Sequence, residues 1–389
     1  MKVLQAHNRY RYRGGEDAVF EETLRLLRAH GVDAASFEKA SRDIQDTFLQ
    51  KLQAVFTGVY SPASGREMAQ VLAAERPDVV HVHNLFPLLS PSVLVACRNA
   101  GVPVVMTCHN FRLVCPIGVH FQSGHVCERC LDGREYWCML KNCRGNRLES
   151  MAYAVRGMMT RRFGLFKNNV TRFIAISDFL KQWLVAQGYP DGRIDVVYNT
   201  VAIPDSGADA GQGEYMAFTG RISEEKGVDT VLAAAARLPD IPFRIGGVGP
   251  LYDTMKAAAP RNVEFAGMLD KAGLPDFYRR ARAVLVPSVW HETFGLVAAE
   301  AMANGIPVIA SRMGALPELI KDGETGFLFE AGNPADLAEK IQRLWNDAAR
   351  AGRMGHAAHE HARREFHEEV HFKRLMDVYN KAVALAKKG

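Results

Sequence analysis

Short apolar strands alternate with helices twice along this chain, and that alternation limits the fold more than any other feature. The first run places strands at residues 3–6, 79–84, 104–110, 171–177 and 193–199. Helices fall between them, ending near Gly31, running from Ser61-Pro62 to Glu75, and covering 91–100 and 178–187. Stretches such as VVHV are continuous and valine-rich, as strands covered on both faces of a parallel sheet must be. Residues 205–214, DSGADAGQGE, are rich in Gly, Ala and Asp and read as a linker. Beyond them the alternation restarts, with strands at 215–222, 243–249, 263–269, 283–286, 306–311 and 322–329. Helices are predicted at 228–236 and 274–281, and over PADLAEKIQRLW with Pro334 near its start. Two such runs predict an α/β protein of two Rossmann-like domains, residues 1–204 and 212–370, with the cleft between them as the natural site. A length of 389 residues is long for one core and comfortable for two.

Composition narrows the partners. Forty-eight Lys plus Arg against forty-three Asp plus Glu leave a net charge of +5, too small an excess to argue for nucleic acid. No apolar run reaches membrane-spanning length, and MKVLQAHN reads as a first strand and not as a signal peptide. A cytoplasmic chain is expected, with any membrane contact peripheral, at the inner face of the cytoplasmic membrane. From Arg134 to Arg172 there are nine Lys or Arg and two Glu, interleaved with Trp137, Met139, Leu140, Met151, Met158 and Phe163. This composition suits an anionic membrane surface or a lipid-phosphate substrate, and equally a solvated helix face over a core stripe.

Five of the seven cysteines fall between Cys115 and Cys143. In a cytoplasmic chain that density favours a metal over a disulfide framework. A structural zinc held by Cys115, Cys127, Cys130 and Cys143 is one reading, with Cys138 spare and His120 or His125 as substitutes. Free or redox-sensitive thiols are the other. Such a site would span roughly residues 111–147 and pin an irregular loop beside His109.

Ligand-binding residues are sought where strands end. Ser288 to Glu300, SVWHETFGLVAAE, follows a strand closed by Pro287 and carries Glu292, Gly295 and, within the next helix, Glu300. Strand, carboxylate loop, glycine and helix N-terminus describe a ligand site, or else a surface loop with two solvated Glu. Arg221 and Lys226 border the first loop of the second half, where two cations match a diphosphate; Gly246, Gly247 and Gly249 follow the next strand. In the first half, Gly14 and Gly15 precede a helix, with arginines at 9, 11 and 13, and form an anion loop or a plain turn. His109 and His83 end their strands, as functional groups or packed structural histidines. The histidines at 356, 359, 361, 367 and 371 read as the exposed face of the last helices.

FTGRISEEKG, VPSVWHETFGLVAAEAMANGIPVIAS, GALPEL and DGETGFLF together resemble the retaining glycosyltransferases of family four, which have the GT-B fold. The likeness is strong over about 215–335 and looser elsewhere, through Gly14-Gly15, VHVHN and CHN at 108–110. It implies that Glu292 contacts the donor sugar and Glu300 the ribose hydroxyls of a nucleotide sugar linked through UDP or GDP. It also implies that Arg221 and Lys226 neutralise the donor diphosphate with no catalytic metal, while Gly15 closes over it. His109 would face the sugar hydroxyls, and the amides of Phe294, Gly295 and Leu296 would hold the sugar. The acceptor hydroxyl would attack on the front face, assisted by the departing phosphate, so neither Glu is a nucleophile. The cysteine-rich insertion resembles relatives that assemble capsule, exopolysaccharide or lipopolysaccharide, with glycan or lipid-linked acceptors. The final segment, 371–389, would be a helix returning to the N-terminal domain.

Overall fold

The computed structural model describes residues 1–9, 14–40, 58–270 and 272–387; Arg11 and Arg13 lie outside the described residues. The chain divides into two compact units. One holds Met1–His120, Cys127–Val197 and His371–Gly389, and the other Phe121–Val126 and Tyr198–Val370. Residues 198–214 group with the second unit, where Ala210 is fully buried.

The first sheet is built from β1 (Lys2–Arg9), α1 (Gly15–Ala29), β2 (Asp33–Ala40), α2 (Pro62–Glu75), β3 (Val79–Val82), α3 (Ser92–Asn99) and β4 (Val104–Cys108). An irregular insertion follows, with a small antiparallel hairpin, β5 (Phe121–Gln122) and β6 (His125–Val126), then α4 (Tyr136–Leu140) and α5 (Arg147–Arg162). The sheet resumes with β7 (Arg172–Ala175), α6 (Asp178–Ala186) and β8 (Ile194–Val196). Its strand order is β2-β1-β3-β4-β7-β8, all pairs parallel. Side-chain caps set the helix starts: Ser61 Oγ accepts from Ser64 N at 3.3 Å ahead of Pro62, and Ser177 Oγ accepts from Leu180 N at 3.1 Å.

The second unit runs β9 (Tyr215–Thr219), α7 (Val228–Ala236), β10 (Phe243–Gly246), α8 (Tyr252–Ala257), β11 (Val263–Gly267), α9 (Gly273–Arg279), β12 (Ala281–Val286), α10 (Leu296–Ala303), β13 (Val308–Ser311), α11 (Leu316–Leu319), β14 (Gly326–Phe329), α12 (Pro334–Trp345) and α13 (Ala348–Phe366). Its order, β11-β10-β9-β12-β13-β14, is again wholly parallel. Strands β12, β13 and β9 are buried along almost their whole length, which is why their sequences do not alternate. Two parallel six-stranded sheets, each with helices between its strands, are therefore the two Rossmann-like domains of the expected α/β architecture.

The last helix, α14 (Glu368–Ala386), completes the first core. Leu375, Val378, Tyr379 and Ala382 pack with Val3, Leu27, Val79, Val105 and Ile174. Inside that apolar layer the Tyr379 hydroxyl meets His81 Nδ1 at 2.7 Å, and His81 Nε2 meets Thr107 Oγ1 at 2.7 Å. The C-terminal histidines are not all on an exposed face. His359 and His371 are buried, and His359 Nδ1 bonds the Ala303 carbonyl at 2.7 Å. Helical spacing alone cannot separate a polar face from a histidine whose ring has a backbone partner inside.

Tyr379→Phe keeps the ring and strips the hydroxyl, leaving a buried His81 nitrogen without its partner. A loss of about 1–3 kcal/mol in unfolding free energy is expected from urea titration. An unchanged midpoint would mean the His81 contact does not help hold the last helix.

Candidate active site

In each sheet the strand order reverses beside the first strand, between β1 and β3 in one unit and between β9 and β12 in the other. Crossovers diverge there, so the loops after those strands open a crevice at the carboxyl edge. Most of the candidate residues lie on those four loops, while His109 follows β4, Gly247 follows β10 and Glu300 lies within α10.

In the second unit, the loop after β9 carries Arg221 and Lys226 and the loop after β12 carries Ser288 to Gly295. The two are tied together. Val289 N donates to Glu225 O at 3.0 Å, and Lys226 Nζ donates to Glu292 Oε1 at 2.6 Å. Ser288 Oγ donates to the same carboxylate oxygen at 2.6 Å. Glu292 is only 8% exposed. Burial pushes its carboxyl up, but Lys226 and the Ser288 hydroxyl outweigh that and hold it below the usual carboxylate range. It is ionised at neutral pH. Its backbone is fixed as well: Ala315 N donates to Glu292 O at 2.8 Å, and Gly314, at φ +59°, lies against the Glu292 backbone where a Cβ would overlap it. Lys226 Nζ also lies 5.0 Å from the Trp290 ring centroid, so the cation is bounded by a carboxylate and an aromatic face.

Arg221 stands differently. Its guanidinium bonds Glu225 at 2.7 Å and is 66% exposed, while Ser223 Oγ donates to the same Glu225 oxygen at 2.7 Å. Gly247 follows β10 with φ +125°, and a Cβ there would overlap the Gly220 carbonyl, so the loops after β9 and β10 close tightly on each other. Phe294 is buried with its ring 5.6 Å from that of Phe366. Gly295, at φ +99°, caps α10, whose first residue is Leu296. Amides in that first turn lack intrahelical acceptors and carry partial positive charge.

Glu300 lies farther along α10 and takes a different partner. Tyr278 Oη donates to Glu300 Oε2 at 3.1 Å, and Thr219 Oγ1 meets Tyr278 Oη at 2.9 Å. Burial pushes the Glu300 carboxyl up, with the Tyr278 bond opposing it in part. The two carboxylates thus differ electrically. Glu292 is buried and paired with a cation; Glu300 is half-buried and paired with a phenol.

In the first unit Gly14 caps α1, but its N–H donates to Asp17 Oδ2 at 3.0 Å, so the pairing leads inward to a side chain. Gly15 is the first residue of the helix. Asp17 Oδ1 also accepts from His7 Nε2 at 2.8 Å. His109 follows β4, is 9% exposed, and its Nε2 lies 3.0 Å from His83 Nδ1 with the rings stacked at 5.2 Å. Burial lowers the His109 pKa to about 4 and that of His81 to about 3, and drives His83 well below its ordinary value. His7 is lowered too, burial outweighing Asp17. The cluster is neutral, and the His83–His109 bond fixes one ring as donor and the other as acceptor.

The zinc reading of Cys115, Cys127, Cys130 and Cys143 finds no support among the described residues. Among the described residues no three His, Cys, Asp or Glu side chains gather as a metal requires. Cys130 and Cys138 are buried with Ala154, beside Trp137, Tyr153 and Cys143. Cys115 is also buried and turned toward the amides of residues 117–120, and burial pushes its thiol up. Cys115, Cys143 and Cys127 lie near enough to act on the Cys130 thiol, which burial and these neighbours push up to about 12.

Sequence reasoning brought Lys226 and Glu292 to one site and missed Ser288, Tyr278 and the His7–Asp17 pair. Ser288 lay inside the motif, four residues before the Glu it serves. Tyr278 had no local signal, because its partners Thr219 and Glu300 come from distant strands and helices.

Glycosyltransferase Family 4 matches residues 14–203, and Glycosyl transferases group 1 matches residues 202–361. A D-inositol 3-phosphate glycosyltransferase of Arthrobacter sp. is 37% identical over 161 residues, covering 38% of this chain and 38% of that protein. The chain therefore spans well under half the length of that relative. Sucrose-phosphate synthase from Thermosynechococcus elongatus shares the fold with a TM-score of 0.72 at 19% identity, covering 99% of this chain and 100% of that one. Anabaena HepE in complex with UDP gives a TM-score of 0.68 at 19% identity, covering 98% and 100%. The chain belongs to the family-four glycosyltransferases, and its two parallel sheets are those of the GT-B fold.

Two outcomes follow from this electrostatics. Lys226→Met strands a buried carboxylate, so it should destabilise the chain more than the double change Lys226→Met/Glu292→Gln, by about 1–3 kcal/mol in urea titrations. Equal losses would mean the pair is not coupled. The histidines give a pH window. Unfolded, they take up protons below about pH 6.5, whereas His109 and His81 resist until about 4 and about 3, so stability should fall as pH drops from about 6.5 toward 4. A urea midpoint that stays flat between pH 7 and 5 would contradict a neutral cluster.

Proposed function

We propose that this glycosyltransferase moves a hexosyl group from a UDP- or GDP-linked donor to a hydroxyl of a glycan or lipid-linked saccharide, with the anomeric configuration retained. The observation that carries the reading is the Lys226–Glu292 pair, a cation and a carboxylate held together at the switch point of the second sheet. Transfer breaks the bond between the sugar's anomeric carbon and the β-phosphate oxygen and forms one from that carbon to the acceptor oxygen. The acceptor proton passes to the departing phosphate. Negative charge grows on the diphosphate, and Lys226, Arg221 and the first-turn amides of α10 are the groups that answer it. No catalytic metal enters this scheme.

A diphosphate would compete with Glu292 for Lys226 and with Glu225 for Arg221, so donor binding exchanges internal partners for phosphate oxygens. Glu292, released in part from Lys226, then accepts from the sugar hydroxyls. Glu300 takes the ribose hydroxyls, with Tyr278 orienting it, and the amides of Phe294, Gly295 and Leu296 hold the sugar. The family resemblance assigns Gly15 to the diphosphate and His109 to the sugar hydroxyls, residues 1–204 to the acceptor and residues 212–370 to the donor.

The UDP bound by the Anabaena neighbour supports a nucleotide-sugar donor. The resemblance of the cysteine-rich insertion supports a role in cell-surface polysaccharide assembly on the cytoplasmic side of a membrane. The Arthrobacter relative's name favours a second reading, in which the acceptor is small and soluble.

Calorimetric titration with a panel of UDP- and GDP-sugars should give binding to one base. Glu292→Gln is expected to reduce kcat/KM by about 10²-fold or more, as lost transition-state contacts do. Glu300→Ala should instead weaken nucleotide binding by about tenfold, the loss of one charged hydrogen bond. Absence of binding to every donor, with Glu292→Gln silent in transfer, would overturn the reading.

A further inference from the structure

Helix α5 carries an apolar stripe on the side turned away from its own packing. Leu148, Met151, Val155 and Met158 are spaced three, four and three residues apart, which places them along one face. They are 53%, 43%, 40% and 47% exposed. Ser150, Ala152, Ala154 and Thr160 on the same helix are buried, so the fold uses other faces and leaves this one to solvent. Phe163, at the end of the helix, is 57% exposed. Scattered exposed apolar residues are ordinary, but a continuous stripe over three turns marks a contact surface.

The charges around the stripe say what it contacts. Residues 136–167 contain seven Lys or Arg and a single acid, Glu149. Some of these cations are occupied: Arg156 is buried against the rings of Phe86 and Tyr153, Arg161 is held by Glu135, and Arg144 lies 3.6 Å from Glu149. Lys141, Arg147 and Arg162 are exposed and have no ion pair among the described residues. Arg147 begins α5 and Arg162 ends it, so free cations stand at both ends of the apolar stripe. An apolar face bounded by unpaired basic side chains complements a surface that is anionic outside and hydrocarbon beneath. Nucleic acid would leave the stripe without a partner.

We propose that this face of α5 docks on an anionic lipid bilayer. Leu148, Met151, Val155 and Met158 enter the boundary between headgroups and acyl chains, and Lys141, Arg147 and Arg162 meet lipid phosphates. No helix among the described residues is long and apolar enough to span a membrane, so the contact is lateral and reversible. This inference does not depend on the donor or acceptor assigned above.

Co-sedimentation of the purified chain with vesicles tests it. Binding is expected to vesicles containing phosphatidylglycerol at low salt, and to weaken by about tenfold or more with phosphatidylcholine alone, since each basic residue near the surface contributes roughly fivefold. Met151→Glu/Met158→Glu should abolish binding, and Arg147→Glu/Arg162→Glu should reduce it, each with an unchanged thermal midpoint because the altered side chains are exposed. Failure to bind anionic vesicles would overturn the proposal, as would full binding by the Met151→Glu/Met158→Glu variant. So would a wild-type dimer that this variant dissociates, because the face would then join two copies.

Discussion

The second unit depends on one ion pair, in which a half-buried lysine holds a buried carboxylate. A carboxylate as enclosed as Glu292 would protonate or expel itself to water if left alone. Lys226 prevents both, and in doing so joins the loop after β9 to the loop after β12. The Val289–Glu225 backbone bond and the close contact of Gly314 with Glu292 add to the same junction. The pair is also where charge can be exchanged. A half-buried cation held by one buried carboxylate is prepared for a stronger anion, and the carboxylate it gives up is already ionised and already placed. Structural support and reactivity therefore belong to the same two side chains.

The first unit solves a different problem at the corresponding edge of its sheet. Its histidines are close together and shielded from water, which is tolerable only because all are neutral and several have uncharged partners. Tyr379 extends that network to the last helix, so the segment that ends the described chain supports the strands whose ends carry His83 and His109. The helix contributes through packing, the Tyr379 hydroxyl and an ion pair from Lys381 to Asp195 of β8 at 2.8 Å.

Much of the architecture was legible because a parallel sheet buried on both faces leaves an unmistakable pattern. The valine-rich run at 79–82 and the LVAAEAMA helix could hardly be anything else, and α7 falls where its apolar run places it. Edges were less certain: β12 begins at Ala281, inside the helix expected over 274–281, because Ala and Arg suit either element until a neighbouring strand pairs with them. That Lys226 and Glu292 belong to one site was implied by the family resemblance, whereas their direct ion pair was not foreseen. Nor were the Ser288 and Tyr278 contacts, since they arise from how distant elements meet. Cysteine spacing suggested a metal, but spacing constrains ligands in one dimension only, and no metal-holding group is found among the described residues. The basic segment was ambiguous in one dimension for the same reason; burial separated its outer stripe from the residues that hold α5 in place.

The account stands on Lys226, Arg221 and Glu300 forming one nucleotide site within the second unit. A crystal structure with bound nucleoside diphosphate tests that most directly. The account predicts phosphate oxygens within hydrogen-bond distance of Lys226 Nζ and the Arg221 guanidinium, with the ribose hydroxyls on Glu300. A nucleotide bound away from Glu300, with Lys226 still held by Glu292 and Arg221 by Glu225, would contradict it.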